Sequence, residues 1–350
     1  MTIKRRHFAR TLGLGSLGLY AGASAVLTAC GKAAENQEEG EQEIASVVAD
    51  PELFFKISLA QWSLHKSYFG KSFELGWQKF GEMMREDPSS VLMGDIKPID
   101  FPVLARQEFG IGGVEYVNQF FKDKAEDMDY LNGLNQRAKD NDVQNLLIMC
   151  DGEGELGNLD EKERIKAVEN HYKWINAAKY LGCHSIRVNA AGNGTAEEVA
   201  DAAVDGLGRL TEYGAKEGIN VIVENHGGYS SNGTWLSGVM QKVNSPYCGT
   251  LPDLGNFCIQ RGPEGCVESY DMYKGVEELM PYAKGVSGKT HNFDAEGNET
   301  EIDYYRMLQI VKDSGFTGWI DVEYEGNELS EFEGIRATKA LLETAGAKIS

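Results

Sequence analysis

The C-terminal two-thirds of the chain alternates short apolar runs with amphipathic stretches at intervals of about thirty residues, the length of one β/α unit. Ile165, Val168, Tyr172, Ile175, Ala178 and Leu181 fall three or four apart and share one helical face, which stops at Gly182. A strand-like run, His184 to Asn189, follows at once. Val199, Ala203, Leu207 and Leu210 make the next helical face, which stops near Gly218 before the run Ile219 to Glu224. Units of this kind demand parallel strands joined by right-handed crossovers.

Eight strands are expected: Lys56 to Trp62, Ile111 to Tyr116, Gln144 to Cys150, His184 to Asn189, Ile219 to Glu224, Gly249 to Asp253, Ala283 to Lys289 and Trp319 to Glu323. Eight β/α units close a barrel, so the fold class is α/β, a single-domain (β/α)8 TIM barrel over residues 51–350. A doubly wound open sheet competes, but no glycine-rich phosphate fingerprint follows the first strand. The connection between the first two strands is long and irregular from Asp87 to Phe101, which reads as either a lid or a surface excursion.

The N-terminus reads as an address. Lys4-Arg5-Arg6-His7-Phe8-Ala9-Arg10 is a twin-arginine pattern, and the glycine-interrupted apolar run after it ends in Leu27-Thr28-Ala29-Cys30, a lipoprotein cleavage box. Residues 1–29 are therefore expected to be a signal peptide, Cys30 to be lipidated, and 30–50 to be a flexible acidic tether. The expected location is the periplasm, reached by the twin-arginine route, with contact to the membrane only through the lipid. Residues 1–29 carry Lys4, Arg5, Arg6 and Arg10 and no acid, so their removal takes the net charge from −20 to −24. That charge disfavours nucleic acid and polyanionic substrates and leaves a neutral small molecule as the simpler partner. Of the remaining cysteines, Cys258 and Cys266 are near enough in sequence to bridge, or all five are small buried thiols.

Barrel enzymes carry their chemistry where strands end. The fifth to eighth runs end in Glu224, Asp253, His291 and Glu323. Carboxylates at the ends of apolar strands are costly unless a cation or donor meets them. Three carboxylates and one imidazole at one mouth suit a single divalent ion: Mn2+, Mg2+, Co2+ or Zn2+. His226 and Lys289 flank two of these positions, as sugar contacts or as supports for the ligands. Glu115, Asn189 and Trp62 stand at the ends of other strands and His65 follows the first, where it could close the pocket; all four are expected to touch substrate, with Tyr116 and Phe257 as apolar walls. His171 and His184 are expected to be structural.

The segments Glu224-Asn225-His226-Gly227-Gly228, Leu251-Pro252-Asp253-Leu254-Gly255-Asn256-Phe257 and Gly318-Trp319-Ile320-Asp321-Val322-Glu323 resemble the xylose isomerase-like barrel superfamily of sugar phosphate isomerases and epimerases, which shares its fold with the second family of apurinic endonucleases. The resemblance covers roughly Lys56 to Ala345 and implies Glu224, Asp253, His291 and Glu323 as metal ligands. Ketose epimerases of that family show a histidine three residues after the aspartate. Here that residue is Asn256, which can bind a hydroxyl but exchanges no proton near neutrality. The expected activity is a divalent-metal-dependent sugar isomerase or epimerase, with Glu224 and Glu323 moving a proton beside the carbonyl of an unphosphorylated keto-sugar. A lyase or hydratase acting on a 3-keto-glycoside or 3-keto-glycal would use the same groups. A non-catalytic sugar-binding lipoprotein and a phosphodiesterase are the remaining alternatives.

Overall fold

The computed structural model describes residues 52–350, so the expected signal peptide, the lipidated Cys30 and the tether lie outside the described residues. The parallel strands are β1 (Lys56–Ala60), β2 (Gly113–Val117), β3 (Gln144–Met149), β4 (Ser185–Val188), β5 (Asn220–Glu224) and β6 (Cys248–Leu251). An antiparallel hairpin of β7 (Cys258–Gly262) and β8 (Gly265–Ser269) intervenes before β9 (Val286–Thr290) and β10 (Trp319–Tyr324) complete the main sheet. Its order is β6-β5-β4-β3-β2-β1-β10-β9, and it curls until its two edges meet. Parallel bridges pair Thr250 with Ala283 and Asp253 with Ser287. Three backbone hydrogen bonds of 2.9–3.0 Å, including Ser287 N to Pro252 O, support that seam.

The helices α1 (His65–Phe69), α2 (Trp77–Glu86), α3 (Phe101–Phe109), α4 (Met128–Asp140), α5 (Glu161–Leu181), α6 (Ala196–Glu217), α7 (Gly233–Val243), α8 (Met272–Leu279), α9 (Tyr304–Asp313) and α10 (Glu331–Ile349) fill the connections. Among the described residues none is long and apolar enough to cross a membrane. Local chemistry sets their ends. Asp160 accepts from the backbone of Lys162 and Glu163 at the start of α5, and Gly182, at φ +77°, ends it in the left-handed conformation expected from the sequence. Thr195 and Glu198 form a capping box on α6, which stops at Gly218. The helical faces read from the sequence bury Val168, Ile175, Ala178, Leu181, Val199, Ala203, Leu207 and Leu210 against the strands.

One part of the sequence reading needs revision. The hairpin β7–β8 was not expected, because its side chains are mostly exposed and give no apolar periodicity. Its strands are joined by the Cys258–Cys266 disulfide, which decides between the two readings of that pair; Cys150, Cys183 and Cys248 are buried thiols. The segment Asp87–Phe101 is exposed or half-buried over most of its length and is anchored at Val91 and Gly94. Val91 is fully buried, and a Cβ at Gly94 would fall 1.8 Å from Ser67 O, so the backbone there lies directly on α1.

Candidate active site

Strand alternation aims Glu224, Ser287, Lys289 and Glu323 into the interior at the C-terminal end of the sheet, where Asp253 joins them just past β6. Ligand oxygens of Glu224, Asp253 and Glu323 lie within 4.8 Å of one another, and all three residues are buried. Asn225 fixes the relation between β5 and β6. Its Nδ2 donates to the carbonyls of Asp253 (2.9 Å) and Asn256 (3.1 Å), while its Oδ1 accepts from Asp253 N at 2.8 Å. Asp253 is further oriented by the backbone N–H groups of Gly255 and Asn256, both donating to Oδ1. Asn256 Nδ2 donates to Asp253 Oδ2 at 2.9 Å and to Glu224 Oε1 at 3.1 Å, so it ties two of the carboxylates together.

Two buried cations stand among these acids. Lys289 Nζ lies 3.3 Å from Asp253 Oδ2, 3.0 Å from Glu323 Oε1 and 2.7 Å from Glu325 Oε1. Burial alone would depress that ammonium, but Asp253, Glu323, Glu325 and Glu224 outweigh it and hold its pKa well above the usual lysine value. Arg187, on β4, donates from Nη1 to Asp151 Oδ1 at 2.9 Å. Its Nε stands 2.8 Å from Glu224 Oε2, out of line for a hydrogen bond, so that buried oxygen has no donor. Burial pushes the carboxyls of Glu224 and Asp253 up to about 7, against the pull of Arg187 and Lys289 respectively. Glu325 goes the other way, to about 2: desolvation would raise it, but contact with Lys289 prevails.

Above this cluster opens a cavity of about 290 Å³, lined among others by Trp62, Asp151, Arg187, His226, Glu323 and Glu325. His65 stands at its edge, stacked on Trp62 with ring centroids 4.8 Å apart and Nδ1 against Trp62 O at 2.7 Å. Asn189 Nδ2 donates to Asp151 Oδ1 at 2.7 Å, holding that carboxylate toward the cavity.

Other expected residues sit elsewhere. The imidazole of His291 is not among the donors that come together. Strand β9 ends at Thr290, and the loop after it hangs on Glu299, which accepts from the backbone N–H groups of His291, Asn292, Glu301 and Ile302. The inward positions next to Asp253 and Glu323 belong to Ser287 and Lys289 instead; Ser287 Oγ donates to Glu323 Oε2 at 2.6 Å. Glu115 is not at the cavity surface. It is buried on β2, accepts from Ser58 Oγ at 2.7 Å, and lies beside Asp321, whose carboxyl burial and the adjacent Glu115 push well up. Tyr116 points to the opposite face of β2, its hydroxyl on Asn145 Oδ1, and Phe257 packs against Gly275; both are core and not walls. His171 bonds Ala167 O and His184 bonds Ser185 Oγ, away from the cavity. Sequence reasoning missed Asp151, Arg187, Asn225, Ser287 and Glu325. Arg187 alone carried a usable signal, a charge in the middle of the apolar run Ser185–Val188.

Residues 104–345 match the family described as xylose isomerase-like TIM barrel. The chain belongs to this family. Solved structures with the same fold include the apo form of the 3-keto-D-glucoside 4-epimerase YcjR from E. coli, at TM-score 0.56 and 13% identity over 71% of this chain and 95% of that one. The IOLI protein with a bound zinc atom superposes at TM-score 0.61 and 13% identity over 85% and 99%. A family member from Mycobacterium smegmatis in complex with magnesium superposes at TM-score 0.55 and 14% identity over 73% and 91%. No curated protein sequence matches the chain. Within the family's fold, three buried carboxylates from three elements and one buried oxygen without a donor fit a hard divalent cation with oxygen ligands, such as Mg2+ or Mn2+.

Proposed function

We propose that this protein is a sugar isomerase or epimerase that moves a proton on a carbon beside the carbonyl of an unphosphorylated keto-sugar. The observation that carries the reading is the convergence of Glu224, Asp253 and Glu323 within 4.8 Å beneath a cavity of small-molecule size. A divalent ion held by those three residues would supply positive charge beside the carbonyl oxygen and so acidify the neighbouring C–H bond. Glu323 lines the cavity and is the group in reach of a substrate proton. Glu224, from β5 with β6 and β9 between it and β10, approaches the cluster from another strand and is the second carboxylate that would pass a proton, ionised while it holds the ion. Lys289 keeps positive charge against Asp253 and Glu323 and orients both. Asp151, Glu325 and His226 offer acceptors and a donor for sugar hydroxyls.

The cavity's charges speak against a phosphate. Its one guanidinium, Arg187, is already committed to Asp151 and Glu224, and Glu323 and Glu325 would repel an anion. The same site supports a second reading, a lyase or hydratase acting on a 3-keto-glycoside. Asn256 favours it, since its amide is engaged by Glu224 and Asp253 and carries no proton to the opposite face of a sugar. The reading also includes lipidation at Cys30 and export, and the Cys258–Cys266 disulfide supports the export alone, because such bonds persist in oxidising compartments.

The test is incubation of metal-loaded protein with candidate keto-sugars in deuterated water. Deuterium beside the carbonyl of recovered sugar is the expected result, and its position, with any lost substituent, separates epimerase, isomerase and lyase. No exchange with any keto-sugar would remove the reading.

A further inference from the structure

Beside the cavity over the carboxylates lies a second and larger one, of about 530 Å³. Its walls come from three places: Ala191 and Gly192 after β4, the turn His226 to Tyr229 after β5, and Gln260 and Glu268 of the hairpin. His226 lines both cavities and is their common wall. The first cavity, at about 290 Å³, is at the lower end of the range for small-molecule sites. A single sugar ring engaged with Glu323 would leave the second cavity empty.

The outer cavity is built with features that suit a ring. Gly227 and Gly228 turn the chain at φ +84° and +59°, and a Cβ on either would meet nothing within 4 Å, so backbone borders open space. Tyr229 is held in place by its hydroxyl on Gly194 O and by Trp235, 5.9 Å away between ring centroids. Gln260 and Glu268 are paired across the hairpin and present an amide and a carboxylate, the groups that bond hydroxyls. No lysine or arginine is among the residues lining it, and Glu268 disfavours an anion. The disulfide between Cys258 and Cys266 ties together the two strands that carry this wall.

We infer that the substrate is a neutral carbohydrate of two units, whose reacting ring occupies the cavity over Glu224, Asp253 and Glu323 while a second sugar ring occupies the cavity between the hairpin and the β4 and β5 loops. This rests on the proposed function for the first ring only. The second ring is recognised by hydroxyl contacts to Gln260 and Glu268 and by packing on Tyr229, and it passes His226 to reach them. The hairpin therefore selects for glycosides over free monosaccharides.

Two measurements on the whole protein test it. Calorimetric titration with maltose and with glucose, neither of them oxidised, reads the second ring without any turnover; maltose is expected to bind roughly tenfold more tightly. Initial rates with a 3-keto-disaccharide and with the matching 3-keto-monosaccharide are expected to differ in kcat/KM by at least about tenfold in the same direction. Ala191→Trp places an indole in the outer cavity from an exposed position, and both ratios are expected to fall to about one. Gln260→Ala with Glu268→Ala, both exposed on the hairpin, reports the same loss should Ala191→Trp fold poorly. Equal affinity for maltose and glucose, or a maltose preference that survives both sets of substitutions, overturns the inference. A maltose preference without turnover of any keto-sugar leaves the two-ring site standing and overturns the proposed reaction instead.

Discussion

The ammonium of Lys289 lies 3.0 Å from Oε1 of Glu323, with Asp253 and Glu325 also within 3.3 Å, in the interior where the fourth ligand of a metal site was expected. One buried lysine thus neutralises part of a charge that would otherwise have to be met by an ion. Its removal should leave those carboxylates unbalanced. Lys289→Met is expected to destabilise the metal-free protein by about 3–5 kcal/mol and to make its thermal midpoint rise steeply with added Mn2+, more steeply than in the native protein. Thermal unfolding followed with and without the ion measures both. A variant as stable as the parent and indifferent to Mn2+ would show that the ammonium is not compensating this cluster.

Glu323→Gln tests the group nearest the cavity. The amide keeps an oxygen to accept from Ser287 Oγ and keeps the side-chain volume, so folding should survive. Proton exchange from a keto-sugar should fall by roughly 10²–10⁴-fold, the usual contribution of a positioned acid or base. Circular dichroism and deuterium incorporation together separate loss of chemistry from loss of structure.

How much of this was readable beforehand depends on what each residue does. Glu224, Asp253 and Glu323 each stand at or just past the end of an apolar run, so periodicity alone marked them. His291 lies equally near such a run, but β9 ends at Thr290 and Glu299 captures the chain beyond it, a contact eight residues away that no periodicity encodes. Lys289 and Arg187 were visible as charges inside strands, yet which carboxylates they meet is set by neighbouring strands far off in sequence. The hairpin was illegible for a simpler reason. Strand β8 is exposed along its whole length and is held by a disulfide and a backbone ladder, so it needs no apolar pattern.

The raised carboxyls give a pH signature. Burial lifts Glu224 and Asp253 to about 7, above the values the same groups have in an unfolded chain. A raised folded pKa means that the native state binds the extra proton, so the stability it contributes is complete below about pH 4 and is lost as pH rises through about 7. In chelator-treated protein the thermal midpoint should therefore fall between mildly acidic and neutral pH. Saturating Mg2+ or Mn2+ favours the ionised carboxylates and should cancel or reverse that slope. A midpoint flat across this range in the presence of chelator would contradict the placement of the two groups.

Asn256 joins two of the candidate ligands, donating to Glu224 Oε1 and to Asp253 Oδ2 from one amide. Leucine at this position has the same number and branching of side-chain heavy atoms, though a larger volume, and cannot donate, so the two carboxylates would lose their common tether while the backbone bonds to Asp253 Oδ1 remain. Loss of a partner that orients ligands without touching the ion costs about 10–100-fold in metal affinity or activity. Asn256→Leu is accordingly expected to weaken Mn2+ binding by that factor in a calorimetric titration, and to destabilise the chelated protein by about 1–3 kcal/mol because two buried carboxylates lose a donor. Asn256→Asp makes the complementary case. It adds a fourth carboxylate beside Glu224 and Asp253, so it should lower the stability of the chelated protein and tighten the ion, and a variant that does neither would mean that these side chains do not share a binding site.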